Sequence, residues 1–361
     1  MNHFRAIRAK LEKYGLDAML ITSQANGYYA SAFPTTGAGD ALMVVAEKQN
    51  YFITDSRYTE AAQKKVTDAV LLERANAASY LSFLKQILEE NNIQKLGFEE
   101  EALTVKTYQE YSKELPCTFV PASKLMTELR QSKDDEEIEN LKAAQKIADK
   151  ALTQLLEEIR PGMTEKEIAA RLQYLMLLGG AEKMSFDPII ASGPNSSLPH
   201  AVPTDRAIQA GDFLTIDFGC VYNGYCSDTT RTVAIGYATE EMKKVYETVL
   251  QAQLAGIAKA KTGVIGKEVH EAAHDVIRSA GYGEYFGHGF GHSLGIEIHE
   301  APNFNTRNNE PMPDRAAVSA EPGIYLPGKF GCRIEDVIIL HEGGCEDITG
   351  LPKEELRIIP V

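Results

Sequence analysis

Three runs that otherwise read as buried strand carry an acidic residue where an apolar one belongs. Asp217 interrupts Phe213-Leu214-Thr215-Ile216-Asp217-Phe218, and Glu321 ends Ala317-Val318-Ser319-Ala320-Glu321. Glu335 sits in Arg333-Ile334-Glu335-Asp336-Val337-Ile338-Ile339. An ionised carboxylate taken out of water is costly unless it is paired or bound to a cation. Any one of them, alone, fits a half-exposed strand with the carboxylate facing solvent. Strand alternation sets Arg333, Glu335 and Val337 on one face with Asp336 on the other, and it groups Asp228, Thr230 and Thr232.

These strands recur in a faint internal repeat. One half runs from His200-Ala-Val-Pro through FLTIDFG to SDTTRTVAI; the other runs from His299-Glu-Ala-Pro through AVSAEPG to RIEDVII. The order matches and the spacing does not. Two helix-plus-hairpin units facing each other across a pseudo-two-fold axis would bring four carboxylates to one centre.

The rest of the chain is organised around this. Residues 3–14 read as a helix and GLDAMLIT as a strand, while ALMVVAEKQNYFITD reads as two strands joined by a polar turn at 47–50. Residues 79–90 are helical by the spacing of Leu81, Leu84, Ile87 and Leu88, and KLGFEE is a further strand. This amino-terminal α/β segment ends near Pro121, with a charged junction over 122–132. A long amphipathic helix over 134–159 follows, stopped by Pro161-Gly162. Thr164 and Glu167 form a capping box for the next helix. Helices near 239–260 and 267–280 separate the two strand-rich stretches. At 361 residues, the length suits two domains.

Histidines narrow the chemistry. Gly287-His288-Gly289-Phe290-Gly291-His292 places two imidazoles four residues apart in a glycine-rich strand or loop, where backbone can approach a ligand closely. A separate HExxH match, His270-Glu271-Ala272-Ala273-His274, has the form of a zincin helix. Its surroundings, with Val269, Ala273, Val276 and Ile277 on one face, read instead as a packing helix.

Taken in order, LPHAVP, FLTIDFGCVYNGYCSDTTRT, FGHGFGHSLGIEIHEAP, SAEPGIY and GCRIEDVIIL resemble the pita-bread metallopeptidases, which include methionine aminopeptidase, aminopeptidase P and prolidase. The resemblance spans the whole chain. The amino-terminal part, with Asp55, Arg57 and Tyr58 in YFITDSRYTEAA, is similar to the creatinase-type domain of the proline-specific branch, which methionine aminopeptidases lack. The implied architecture is an α/β creatinase-like domain over 1–125 and an α+β pita-bread catalytic domain with a pseudo-two-fold repeat over 126–361.

By the same resemblance Asp217, Asp228, His292, Glu321 and Glu335 are the ligands of two divalent metal ions. His200, His288, His299 and Arg333 line the site, with Tyr325 a looser match. Two cations about 3.5–4 Å apart can share a bridging water and lower its pKa toward ~7. Four carboxylates and one imidazole suit manganese and would accept cobalt, zinc or iron. The implied reaction is hydrolysis of the bond before proline by the bridging hydroxide. Glu321 moves the proton to the leaving nitrogen, and His299 steadies the oxyanion. His200 positions the substrate, and Arg333 holds Glu335 or meets a substrate carboxylate. A pita-bread module without catalysis and a creatinase-like amidinohydrolase are the alternatives. Within the branch, the motif set leans toward an aminopeptidase P-like enzyme over a dipeptidase, and relatives of both kinds imply a homodimer.

Composition limits the remaining classes. Lysine and arginine, 37 together against 51 acidic residues for a formal charge of −14, are scattered and form no nucleic-acid footprint. No apolar run approaches the ~20 residues of a membrane span, and the first residues lack the apolar core of a secretory signal. The five cysteines form no CxxC pair, which fits thiols in a reducing cytoplasm.

Overall fold

Val44, Val45, Phe52 and Ile53 lie fully out of water in neighbouring strands of the amino-terminal unit. β-Branched and aromatic side chains favour this pleated, doubly covered setting. Ala41–Ala46 and Asn50–Asp55 pair antiparallel around the polar turn. Ala18–Ile21 joins Ala41–Ala46 antiparallel, and Lys95–Phe98 and Thr118–Pro121 extend that edge in parallel. Val70–Arg74 closes the other edge, completing six strands. Helix Tyr80–Glu90 buries Leu84, Ile87 and Leu88 in the same core. The first helix is shorter than its pattern suggests: Phe4–Leu11 tightens into a 3-10 turn at Glu12–Tyr14 and stops at Gly15, whose φ of 63° suits glycine.

The computed structural model describes residues 2–37, 39–75 and 79–361. The chain divides into two compact units, Met1–Arg130 and Gln131–Val361. Helix Ser123–Arg130 occupies most of the stretch read as a charged junction. Within the first unit Arg57 ties Asp40 and Asp55 together at 2.7 and 2.8 Å, and the Tyr58 hydroxyl donates to Asp40 at 2.7 Å.

The second unit is built twice over from a helix pair followed by an antiparallel hairpin. Helices Asp135–Glu158 and Glu165–Leu178 both start with capping boxes, Asp134 with Glu137 and Thr164 with Glu167. They precede the hairpin of Phe213–Phe218 and Thr229–Ile235, flanked by Ile189–Ser192 and Ile358–Ile359. Helices Glu240–Lys259 and Gly266–Ser279 precede the second sheet, ordered Glu300–Phe304, Gly291–Ser293, Ala317–Ala320, Asp336–His341 and Gly344–Asp347. Each half has its own apolar core, one around Leu152, Leu172 and Ile216, the other around Val249, Phe290 and Ile338.

One strand departs from its pattern. The run Arg333–Ile339, read as continuous, breaks between Phe330–Arg333 and Asp336–His341. The backbone there crosses to the first hairpin: the Glu335 N–H donates to the Thr230 carbonyl at 3.1 Å, and the Arg333 carbonyl accepts from the Thr232 hydroxyl at 2.9 Å. Glu335 is thereby a bridge between halves rather than an interior strand residue. Among the described residues no helix is long and apolar enough to cross a membrane.

Loss of the Thr164 hydroxyl removes the bond it accepts from the Glu167 N–H at 3.2 Å, at an exposed helix start, while the Thr164 N–H keeps its own bond to the Glu167 carboxylate. Thr164→Ala is expected to cost about 1 kcal/mol, seen as a fall of about 2–4 °C in the thermal midpoint of the unit; an unchanged midpoint would contradict the capping account.

Candidate metal centre

Three of the five side chains are delivered by the end or the break of a strand, and Asp217 and His292 from within one. Asp217 lies in Phe213–Phe218, opposite both Thr230 and Ile189. Asp228 directly precedes Thr229–Ile235, and Glu321 directly follows Ala317–Ala320. His292 is central in Gly291–Ser293, and Glu335 occupies the crossing between sheets. Strand ends leave the ladder without losing its hydrogen bonds, so polar side chains can turn toward a common point there.

The five converge. His292 Nε2 lies 3.5 Å from Asp228 Oδ2 and 3.4 Å from Glu321 Oε1. Ligand atoms of Asp228, His292 and Glu335 all fall within 4.8 Å of one another. They border a cavity of about 480 Å³, lined also by Asp217, His200, His288, His299, Tyr325 and Arg333. Asp217, Asp228 and Glu335 are buried.

The electrostatics of that grouping favour a cation. Burial first, then the neighbouring Asp217 and Glu321 charges, pushes the Asp228 carboxyl well above its ordinary range. Glu335 rises for the same reasons, burial first and then Asp228 and Glu321. Burial raises Glu321, against the pull of His288 and Arg333. His292 is driven down, chiefly by burial, and so is a neutral donor near pH 7. Asp217 Oδ1 is buried without a hydrogen-bond partner among the described residues. An orphaned carboxylate oxygen among three others is the donor set of hard divalent cations. The residues fit two such ions.

Supporting contacts hold the five in place. Thr230 Oγ1 donates to Glu335 Oε2 at 2.6 Å. The Ser319 hydroxyl donates to Glu321 at 3.1 Å while accepting the His292 N–H at 3.0 Å. Arg231 grips the Glu335 carbonyl at 2.7 Å and Asp336 at 2.6 Å, and Lys353 and Gln253 also donate to Asp336. Burial would raise Asp336, but Arg231 and Lys353 hold it below its usual range.

Arg333 corrects one expectation. Its guanidinium donates to Asp217, not Glu335, and also to Thr230 Oγ1 at 3.0 Å and the Tyr325 hydroxyl at 2.7 Å. Because Glu335 lies beyond the strand break, its carboxylate turns to Thr230 instead. Tyr325, its own pKa pushed up to about 12 mainly by burial, passes the chain on to His288 Nε2 at 3.0 Å. His288 Nδ1 donates to the Gly289 carbonyl at 2.8 Å, which leaves Nε2 as acceptor. His299 packs edge-on to His292 with ring centroids 4.4 Å apart, and His200 is exposed to the cavity.

The HExxH helix lies outside this group. His270 and His274 stack at 5.8 Å, His270 is buried, and Glu271 sits on the exposed face beside Lys267 at 3.6 Å. The residues sequence reasoning missed are supports: Ser319, Arg231, Gln253 and Lys353, and the cavity walls Phe186 and Ile298. Their partner Asp336 carried a signal, a carboxylate on the buried strand face of Ile338.

Residues 139–342 match the model of metallopeptidase family M24, and residues 4–132 match that of the creatinase/prolidase N-terminal domain. The chain belongs to metallopeptidase family M24. It is 42% identical to the uncharacterized peptidase YqhT of Bacillus subtilis, over 96% of this chain and 98% of the relative. It is 35% identical to the Xaa-Pro dipeptidase of Pyrococcus furiosus, over 96% and 97% of the two chains. The structure of an Xaa-Pro dipeptidase from Bacillus anthracis superposes with a TM-score of 0.93 at 41% identity, covering 98% of each chain. That of an X-Pro aminopeptidase from Thermotoga maritima gives 0.91 at 38%, covering 97% and 100%. The M24 fold of two creatinase-type and pita-bread domains is thus present along the whole chain.

Two outcomes follow. A Cβ at Gly291 would stand 1.8 Å from the Ser319 carbonyl. Gly291→Ala is therefore expected to part the His292 and Glu321 strands, costing about 1–3 kcal/mol and lowering bound metal by titration; full metal binding would refute the close-packing account. Carboxyls raised on folding stabilise the metal-free protein below their unfolded pKa, and that contribution is lost as pH rises through the raised values. Added Mn²⁺ should accordingly raise the thermal midpoint more at about pH 7.5 than at about pH 5.5, because binding displaces protons; equal shifts would count against the cluster as the binding site.

Proposed function

We propose that this chain hydrolyses the peptide bond between an N-terminal residue and proline, with Asp217, Asp228, His292, Glu321 and Glu335 holding two divalent cations. The observation that carries the reading is the buried Asp217 oxygen without a hydrogen-bond partner among the described residues, set among three carboxylates and one neutral imidazole. Likeness to M24 relatives named as Xaa-Pro peptidases supports the substrate class. It favours catalysis over a non-catalytic module or an amidinohydrolase. Mostly oxygen donors suit manganese. The reading extends to a homodimer in the cytoplasm, with a creatinase-like domain over 1–125 and a catalytic domain over 126–361.

When bound, the cations supply a Lewis acid for the scissile carbonyl and an acidified water. The chain's own groups do the rest. Glu321, its carboxylate oriented by Ser319, accepts the proton of the attacking water and passes it to the leaving proline nitrogen. Expulsion of that nitrogen as a neutral amine depends on the delivered proton. His299, its pKa lowered mainly by burial, stays neutral and offers an N–H to the developing oxyanion. His200 faces the cavity and orients the substrate. His288, fixed by Tyr325 and Gly289, walls the same space.

Asp217→Asn removes a ligand charge and should lower both bound manganese and Ala-Pro hydrolysis by more than about a hundredfold; a variant with full activity ends the assignment. Comparing Ala-Pro with Ala-Pro-Ala sorts the branch. Cleavage of the dipeptide alone marks a prolidase and cleavage of both an aminopeptidase P, while cleavage of neither overturns the proline-specific reading.

A further inference from the structure

His299 stands on a turn that the strand ladder does not hold directly. The chain leaves Gly291–Ser293, loops through 294–299, and returns as Glu300–Phe304 with an irregular register: His292 faces Asn303, but Ser293 faces Glu300. Backbone bonds fix the first half of the loop, from the Cys226 N–H to the Gly295 carbonyl at 2.7 Å and from the Gly295 N–H to the Glu297 carbonyl at 3.0 Å, and the Glu300 side chain closes the rest. Its Oε1 accepts the Glu297 N–H at 3.2 Å, which draws the 297–300 segment into a tight turn carrying Ile298 and His299 into the cavity. The carboxylate lies so close over Gly295 that a Cβ there would meet its oxygens at 2.7 and 2.8 Å.

The other Glu300 oxygen meets Lys133 at 3.1 Å, and the two side chains are only 1% and 5% exposed. The Lys133 backbone is held on both sides. Its N–H donates to the Arg315 carbonyl at 3.1 Å, its carbonyl accepts from Arg315 Nε at 2.5 Å, and Arg315 also pairs with Asp135 at 2.5 Å. Arg315 in turn donates its N–H to Leu340, in the strand Asp336–His341 that follows Glu335. A buried ion pair contributes little net stability compared with apolar packing, but it specifies one geometry because either partner left alone is strongly unfavourable. Here the geometry specified is that of the turn bearing His299.

We propose that Lys133 and Glu300 are positioning residues for the reaction: their buried pair sets the 297–300 turn so that the His299 imidazole meets the oxyanion. The proposal rests on the role given to His299 above. A displacement of about 1 Å at such a group can cost up to about a hundredfold in rate.

A double-mutant cycle on Ala-Pro hydrolysis by the manganese-loaded full chain tests it. Lys133→Met is expected to lower kcat about ten- to a hundredfold with KM and bound manganese changed less than about twofold. In a His299→Ala background the same substitution should lower kcat by less than about twofold, since the group it positions is gone. An equal factor in both backgrounds overturns the proposal, as does a loss of kcat that tracks lost manganese. Should Lys133→Met not fold, Glu300→Gln runs through the same cycle: it keeps an acceptor for the Glu297 N–H but loses the charge, and the same two results decide. If His299→Ala retains full kcat, the role of His299 fails and takes this proposal with it, whereas equal factors beside a slow His299→Ala overturn the positioning alone.

Discussion

Four carboxylates packed against one imidazole repel one another, and burial makes the repulsion severe. Folding tolerates the arrangement because neighbouring structure opposes it at each residue. Arg333 pairs with Asp217, Thr230 donates to Glu335, and Ser319 turns Glu321. What these contacts leave over, including one Asp217 oxygen, is the demand that a cation meets. The fold of the second unit can be understood as two small cores that bring strand ends together under that constraint.

The supports are layered. Beneath Glu335 sits a second set, buried Asp336 between Arg231 and Lys353 with Asp347 also on Lys353, whose two cations and two carboxylates balance within the protein. Arg231 also grips the Glu335 carbonyl, so the balanced set anchors the backbone of the unbalanced one. From Asp217 a hydrogen-bonded chain runs through Arg333 and Tyr325 to His288. It fixes the direction of each polar group before any substrate arrives, which is what an active site needs if its dipoles are not to reorganise during reaction. The Lys133–Glu300 pair follows the same logic one step further out.

Much of this was legible beforehand. Elements with strong local signals emerged close to their expected places: the capping box at Thr164 and Glu167, the hairpin around Ala41–Asp55, and the helix over 240–259. The repeated order of histidine, proline and acidic strand appears in the structure as a helix pair and hairpin made twice. Less legible was the crossing at Glu335, because Arg333–Ile339 has unbroken strand composition and only a partner far along the chain, Thr230, interrupts it. The HExxH segment shows the reverse case, a chemical motif whose helix turns its glutamate to solvent.

By itself the amino-acid sequence determined which side chains were out of place, the apolar runs around them, and the family pattern they form. Those are properties of near neighbours, set by period and by the cost of burying charge. Which oxygen pairs with which cation was decided only in three dimensions. Arg333 reached Asp217 rather than Glu335, and Lys133 found Glu300, because ion pairing depends on distances between residues over a hundred positions apart, and only the packed sheets set those.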